Sequence, residues 1–268
     1  MHAWLVDAFA DRQYAGNPAA VVVRPDGFDT TERMQAAAAA FGLPTTAFVV
    51  PVAPGEFLIR WFTPKAELNI CGHATVASAC YLYEAAGGDA GELSFRGPHD
   101  VLYTSRRDGL ISIALPRIDV VPVDPPPGLI EALGTPVERC ALSPDDLLVE
   151  VGSEEAVAAL RPDFARLAEF DVRGHVVTAA SNRPGVDFVS RAFFPALGVD
   201  EDQVCVSAHC KLAPYWSGRL DRRRLSALQL STRGGRLLVE TADDHVRVAG
   251  AGIVRGRLPV GPRDLRRV

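Results

Sequence analysis

Residues 70–79 read Ile-Cys-Gly-His-Ala-Thr-Val-Ala-Ser-Ala, and residues 204–213 read Val-Cys-Val-Ser-Ala-His-Cys-Lys-Leu-Ala. Each is a loop that runs through a cysteine into a helix of small residues. A helix start presents backbone N–H groups with no partner inside the helix, together with the positive end of the helix dipole, so each stretch reads as an entrance that favours an anion. The small residues let a ligand come close to those amides. Two such entrances in one chain imply two similar halves, with a carboxylate-binding cleft expected between them.

Working outward from the first entrance, residues 4–8 and 19–23 read as strands around a Gly-Asn-Pro turn at 16–18. A helix follows to residue 41, capped by Thr30 or Thr31 and stopped by Gly42-Leu43-Pro44. Strands are expected at 46–50 and 57–62, the entrance helix at 74–86, and further strands at 93–95, 101–104 and 110–115. Pro116 and the Asp-Pro-Pro-Pro at 124–127 mark a crossing between halves. The domains are placed at 1–118 and 119–268, with a final strand that returns to the first.

The second half repeats the order. Strand 146–151, helices 154–160 and 164–170, and strands 175–180 and 188–194 lead to a loop at 198–206, then the second entrance. Strands at 228–232, 236–241 and 245–248 complete it. Arg233-Gly234-Gly235 reads as a turn without chemistry, and Tyr215, Trp216, His175, His209 and Cys210 as packing residues.

Composition narrows the function. The 268 residues are 48% hydrophobic and 23% charged, which is globular usage. Lys and Arg number 28 against 33 Asp and Glu, a net charge of −5, so no overall basic field attracts nucleic acid. The basic runs 222–224 and 263–267 read as a solvated face and a charged tail. No apolar run is long enough to span a membrane, and residues 1–9 lack a signal-peptide pattern, so the expected location is the cytosol. Five cysteines without paired short spacings read as reduced thiols, and Cys205, His209 and Cys210 lack a second knuckle for zinc. No metal and no cofactor are expected.

Four segments in order now carry a resemblance: Val-Asp-Ala-Phe-Ala-Asp-Arg-Gln-Tyr-Ala-Gly-Asn-Pro-Ala-Ala-Val-Val-Val at 6–23, the first entrance with its approach at 59–79, the second with its approach at 187–216, and Leu-Gln-Leu-Ser-Thr-Arg-Gly-Gly-Arg-Leu-Leu-Val-Glu at 228–240. Over nearly its whole length the chain resembles the PhzF family, the phenazine-biosynthesis-like proteins. The resemblance implies an α+β, diaminopimelate epimerase-like fold: two pseudo-symmetric domains, each a sheet wrapped around a central helix. It further implies a homodimer and a cofactor-free isomerase that shifts a proton on a small carboxylate.

Position by position, His73 matches the family's cleft histidine, Asp202 its acidic residue and Ser207 the serine that follows. Two departures stand out. Where the family carries glutamate in Ser-Glu-Thr-Ala-Phe-Val, this chain has Thr45, a hydroxyl that cannot take a proton from carbon. Where the family has glycine before the serine, this chain has Val206. The expected catalytic residues are Asp202, exchanging the proton, and His73, orienting or relaying it. Thr45, Cys71, Gly72, Cys205 and Ser207 are the expected substrate-binding residues. Two alternatives remain: a racemase or epimerase using Cys71 and Cys205 as opposed thiols, and a non-catalytic carboxylate binder, argued from Thr45. The bland reading makes Asp202 or Ser207 a helix cap and Cys205 a small buried hydrophobe.

Overall fold

The computed structural model describes residues 2–88 and 91–259; the basic run at 263–267 lies outside them. The chain begins with β1 (Ala3–Ala8), β2 (Asn17–Val23), α1 (Thr31–Phe41), β3 (Thr45–Ala53), β4 (Glu56–Phe62), β5 (Glu67–Leu68) and α2 (Gly72–Ala85). It continues through β6 (Leu93–Arg96), β7 (Val101–Arg107), β8 (Leu110–Pro116), β9 (Val121–Val123), α3 (Leu129–Leu133), β10 (Arg139–Leu142) and β11 (Asp146–Glu150). Next come α4 (Glu154–Ala159), α5 (Phe164–Leu167), β12 (Gly174–Ala180), β13 (Phe188–Phe194), β14 (Val199–Asp202) and α6 (Val206–Leu220). The last elements are β15 (Arg224–Gln229), β16 (Gly235–Thr241), β17 (His245–Gly250) and β18 (Gly252–Leu258).

Two compact units result. One holds the residues up to Ala114 together with those from Ala249; the other holds Leu115–Val248.

In the first unit, β18 and β2 flank β1 antiparallel, β2 runs parallel to β3, and β4 returns antiparallel to β3. The sheet continues with β6 parallel to β4, then β7 and β8 antiparallel. This sheet curls around α2, which packs on β1, β2, β3, β7 and β18. Only a slim helix fits there, and Ala74, Ala77 and Ala79 supply one, each buried. The buried hydroxyls of Thr75 and Ser78 donate back to the carbonyls of Cys71 and Ala74 at 2.7 and 2.8 Å, so the enclosure costs no unpaired polar atom at those positions. On the outer side, α1 lays Met34, Ala37 and Ala38 against Phe48 and Phe62. Thr30 caps α1 through the Arg33 amide.

The second unit repeats the pairing pattern. β10 and β11 are antiparallel, β11 and β12 parallel, β12 and β13 antiparallel, β13 and β15 parallel, and β15 and β16 antiparallel. Here α6 takes the place of α2. Trp216 is stacked on Phe188 with centroids 5.8 Å apart, and its indole donates to Thr178 Oγ1 at 3.0 Å. The first unit uses the same pairing in reverse, Trp61 of β4 donating to Thr75 of α2 at 3.1 Å. Pro214 lies inside α6 and cannot donate to the Cys210 carbonyl; the Ile118 amide, 3.2 Å away, does so instead.

Several expectations are corrected. The turn at 16–18 is shifted: Asn17 and Pro18 already pair with Ala8 and Asp7. Gly16 makes the bend, at φ +67° and with Ala8 O only 2.2 Å from where a Cβ would stand. The entrance helix starts at Gly72 rather than residue 74. The loop expected at 198–206 contains β14, paired with β13. Strand 228–232 lies earlier, as β15, because residues after Gln229 form a turn in which Ser231 Oγ accepts from the Gly234 amide at 3.1 Å. The short elements β9, α3 and β10 carry too little periodicity to be read from sequence.

Gly174 is a tight fit in the second unit, since a Cβ there would stand 2.2 Å from Phe194 Cδ1. Gly174→Ala is expected to destabilise the protein by about 1–3 kcal/mol through overpacking, measurable as a lower urea midpoint with unchanged slope. A stability equal to that of the parent would show that Phe194 moves aside freely.

Candidate active site

The sequence-predicted residues fall into two clusters, one in each unit. In the first, Cys71 is the N-cap of α2 and makes no side-chain capping bond. This contrasts with α1, α4 and α5, which are capped by Thr30, Ser153 and Asp163. Thr45 heads β3 and sets its hydroxyl 3.6 Å from Cys71 Sγ, while His73 Nδ1 lies 3.5 Å from the same sulfur. Thr45, Cys71 and His73 are all buried, and Gly72 opens the helix between them. Burial opposes a thiolate here, but the charge and hydrogen bond of His73, the Ala74 amide and the Thr45 hydroxyl outweigh it and hold the Cys71 thiol below its ordinary value.

In the second cluster, Cys205 is the N-cap of α6, again without a side-chain capping bond. Asp202 ends β14 and Ser207 is the second helical residue, so neither takes the capping position that the bland reading allowed. Ser207 Oγ lies 3.3 Å from Cys205 Sγ. Burial and the charge of Asp202 push the Cys205 thiol well up, against the smaller opposing effects of Ser207, the Ala208 amide and Arg173. Burial also raises Cys80 and Cys210 to about 12 and Cys140 to about 11. Of the five thiols, Cys71 alone is shifted down. Burial lowers His175 and His209 to about 4, so both are neutral at neutral pH.

Four supports of the second cluster escaped the sequence reading. Buried Gln229 clamps the loop between β14 and α6, its Oε1 accepting from the Cys205 amide at 2.8 Å and its Nε2 donating to the Asp202 carbonyl at 2.5 Å. Arg191 grips Glu201 through Nε at 2.7 Å and Nη2 at 3.0 Å, fixing the residue before Asp202. The turn given no chemistry braces the same loop, with Ser231 donating to the Gln203 carbonyl and the Arg233 amide to its side chain. The fourth support is Arg173, which donates to both oxygens of Asp146 and to Ser207 Oγ. A strand signal flags the segment containing Gln229; nothing local flags Arg173, because its partners are 27 and 34 positions away in sequence.

A duplicated unit with a sheet wrapped around one helix, and a titratable cluster at that helix's N-terminus, defines an epimerase-like α+β protein. Solved structures agree with that class: a hydroxyproline epimerase from Agrobacterium vitis superposes with a TM-score of 0.64 at 11% identity, over 100% of this chain and 95% of the other, a likeness of fold alone. The model of the PhzC-PhzF family, phenazine biosynthesis-like protein, matches residues 6–256, and the chain belongs to that family. An uncharacterized isomerase of Pseudomonas aeruginosa is 44% identical, covering 93% of this chain and 94% of the relative. A crystal structure of a PhzF family protein from Enterococcus faecalis has a TM-score of 0.91 at 37% identity, covering 97% and 100%. The fold is therefore the diaminopimelate epimerase-like one, and relatives within the family are named as isomerases. Among the described residues no helix is long and apolar enough to cross a membrane.

The shifted thiol is open to direct measurement. Thiolate absorbance followed against pH is expected to show one cysteine ionising below the ordinary 9.0, so that its thiolate persists to more acidic pH than the other four. Cys71→Ser should remove that step, and His73→Gln should move it upward. A low step that survives Cys71→Ser would assign it to another cysteine.

Proposed function

We propose that this chain is a cofactor-independent isomerase that moves a proton, with a double bond or at a stereocentre, on a small unsaturated or amino-acid-derived carboxylate. Asp202 exchanges the proton, and His73 orients or relays it. The observation that carries the reading is the pair of long helices whose N-caps are cysteines making no capping bond. In both, the first-turn amides are left by their own cap for an anion, and a titratable group stands beside them. The amides from Gly72 onward, those near Ser207 and the Ser207 hydroxyl suit a substrate carboxylate, with Thr45, Cys71 and Cys205 against the ligand. Thr45 contributes a hydroxyl and no base, so the proton chemistry passes to the remaining groups.

A two-thiol epimerase is favoured by one specific observation: Cys71 is shifted toward the thiolate and Cys205 is held as the thiol. One base and one acid are what removal of a proton and its delivery elsewhere need. In that reading Cys71 takes the proton and Cys205 supplies it.

Incubation in deuterated solvent with pyrroline carboxylates, dienoic acids and amino acids tests both. The isomerase is expected to place solvent deuterium on carbon, and Asp202→Asn to lower the rate by about 10²- to 10⁴-fold with the fold intact. If Cys71→Ser and Cys205→Ser abolish exchange while Asp202→Asn leaves it unchanged, the two-thiol mechanism replaces the first. Binding without any exchange in the parent would make the chain a carboxylate binder. The expected assembly, a homodimer, is proposed alongside and is read by sedimentation.

A further inference from the structure

The second unit holds a buried charge cluster that neither mechanism uses. Lys211, one turn along α6 from Ser207, is fully buried and bonded to Asp146, also fully buried, and to Asp145 Oδ1 at 2.9 Å. Arg173 adds a second cation, donating from Nε to Asp146 Oδ1 at 2.8 Å and from Nη2 to Asp146 Oδ2 at 2.5 Å, with Asp145 Oδ2 3.2 Å from Nε. Its guanidinium lies over the Phe194 ring, 5.2 Å from the centroid, and Gly174 leaves the room for that ring. Nη2 also donates to Ser207 Oγ at 3.3 Å.

A structural ion pair does not account for this arrangement. Lys211 and Arg173 together balance Asp145 and Asp146, but that balance leaves part of the arginine unused. An arginine serving only Asp146 would spend its donors there, yet Nη1 has no partner among the described residues, and about a third of the side chain, 32%, is exposed. The guanidinium adjoins the cluster at the α6 entrance: its charge acts on the Cys205 thiol, and Nη2 donates to Ser207 Oγ. With a lone pair of Oγ taken by Nη2, the Ser207 proton is left to donate, either to Cys205 Sγ at 3.3 Å or to a ligand at the entrance.

The internal repeat supports the position. In the first unit, the residue beside the N-cap cysteine is Thr45, at the head of β3, where β3 pairs in parallel with β2. In the second, the equivalent parallel pair begins at Gly174 of β12, and Arg173 directly precedes it. The two cations and two carboxylates of the cluster balance, so the surplus at the entrance comes from donors and the helix end rather than from a net charge. That suits a singly charged carboxylate over a phosphate dianion.

We propose that Arg173 is a substrate-binding residue, its Nη1 taking the carboxylate of the substrate at the first turn of α6 while its Nη2 sets the Ser207 hydroxyl as a second donor to the same group. The choice of carboxylate rests on the isomerase reading; the position of the residue does not.

Ligand-observed NMR titrations of benzoate and sorbate, each beside its neutral carboxamide, test it on the whole chain. The parent is expected to prefer the carboxylates. Arg173→Gln should weaken them about 10- to 100-fold, the worth of a hydrogen bond to a charged group, and leave the carboxamides unchanged. Arg173→Lys keeps a cation on Asp146 but loses the fork, so it serves if the glutamine variant does not fold; it should also weaken the carboxylates selectively. A parent without preference for carboxylate, or folded variants that bind like the parent, would overturn the assignment. Deuterium exchange in parallel separates the two ideas. An Arg173-dependent preference without exchange removes the isomerase and keeps the site; exchange with unaltered binding in the variants does the reverse.

Discussion

A helix enclosed by a curled sheet has to be slim along its length and has to satisfy its first amides at one end, and most of this protein follows from that constraint. α2 meets the first demand with alanines and with hydroxyls that bond back to their own helix. α6 meets it less uniformly, with Trp216 anchored to Thr178, and Pro214 compensated by the Ile118 amide. At the N-terminal ends, where α1, α4 and α5 carry Thr, Ser and Asp caps, both enclosed helices carry cysteine. Sulfur is a weak acceptor, so it leaves the amides less satisfied than an oxygen would. The packing requirement and the proposed anion binding thus fall on the same two helices.

The loop leading into α6 is held from several directions. Gln229 grips both ends of the segment from Asp202 to Cys205, and Arg191 fixes Glu201. Proton transfer needs placement to within a fraction of an ångström, and a loop braced by buried hydrogen bonds provides that better than a free one. The charge cluster below it adds rigidity at a cost. A fully buried ammonium survives only when desolvation is offset by close carboxylates, and Lys211 has two.

Much of the fold was legible because the signals were local. The two loop-to-helix entrances, the alanine-rich run of α1 with its threonine cap, and the β-branched strands each announce themselves within ten residues. The elements that escaped are short or depend on pairing: β14 is defined by β13, and β15 is shifted by the side-chain turn at Ser231. At the site, His73, Cys71, Cys205, Asp202 and Ser207 were visible from their spacing around the helix starts and from the family resemblance. Gln229 and Arg173 were not, since a glutamine in a strand and an arginine before one acquire meaning only when the sheet brings them to the entrance. Thr45 was visible as a departure, and its contact with Cys71 shows what the missing carboxylate leaves behind: a hydroxyl next to a thiol.

The duplication also shows how one scaffold yields unlike chemistry. Cys71 and Cys205 occupy equivalent places, both buried and both at the start of an enclosed helix, so burial and the helix end act on them alike. Their thiols nevertheless shift in opposite directions. The difference traces to the residue two positions on and to the nearest charge: His73 stabilises a thiolate at the first, whereas Ser207 offers only a hydroxyl at the second and Asp202 repels the anion there. Arg173 opposes that repulsion without overcoming it, because Asp146 shares its charge. Two equivalent positions have therefore separated into a more basic and a more acidic thiol, the kind of separation that lets one titratable group take a proton and another supply it.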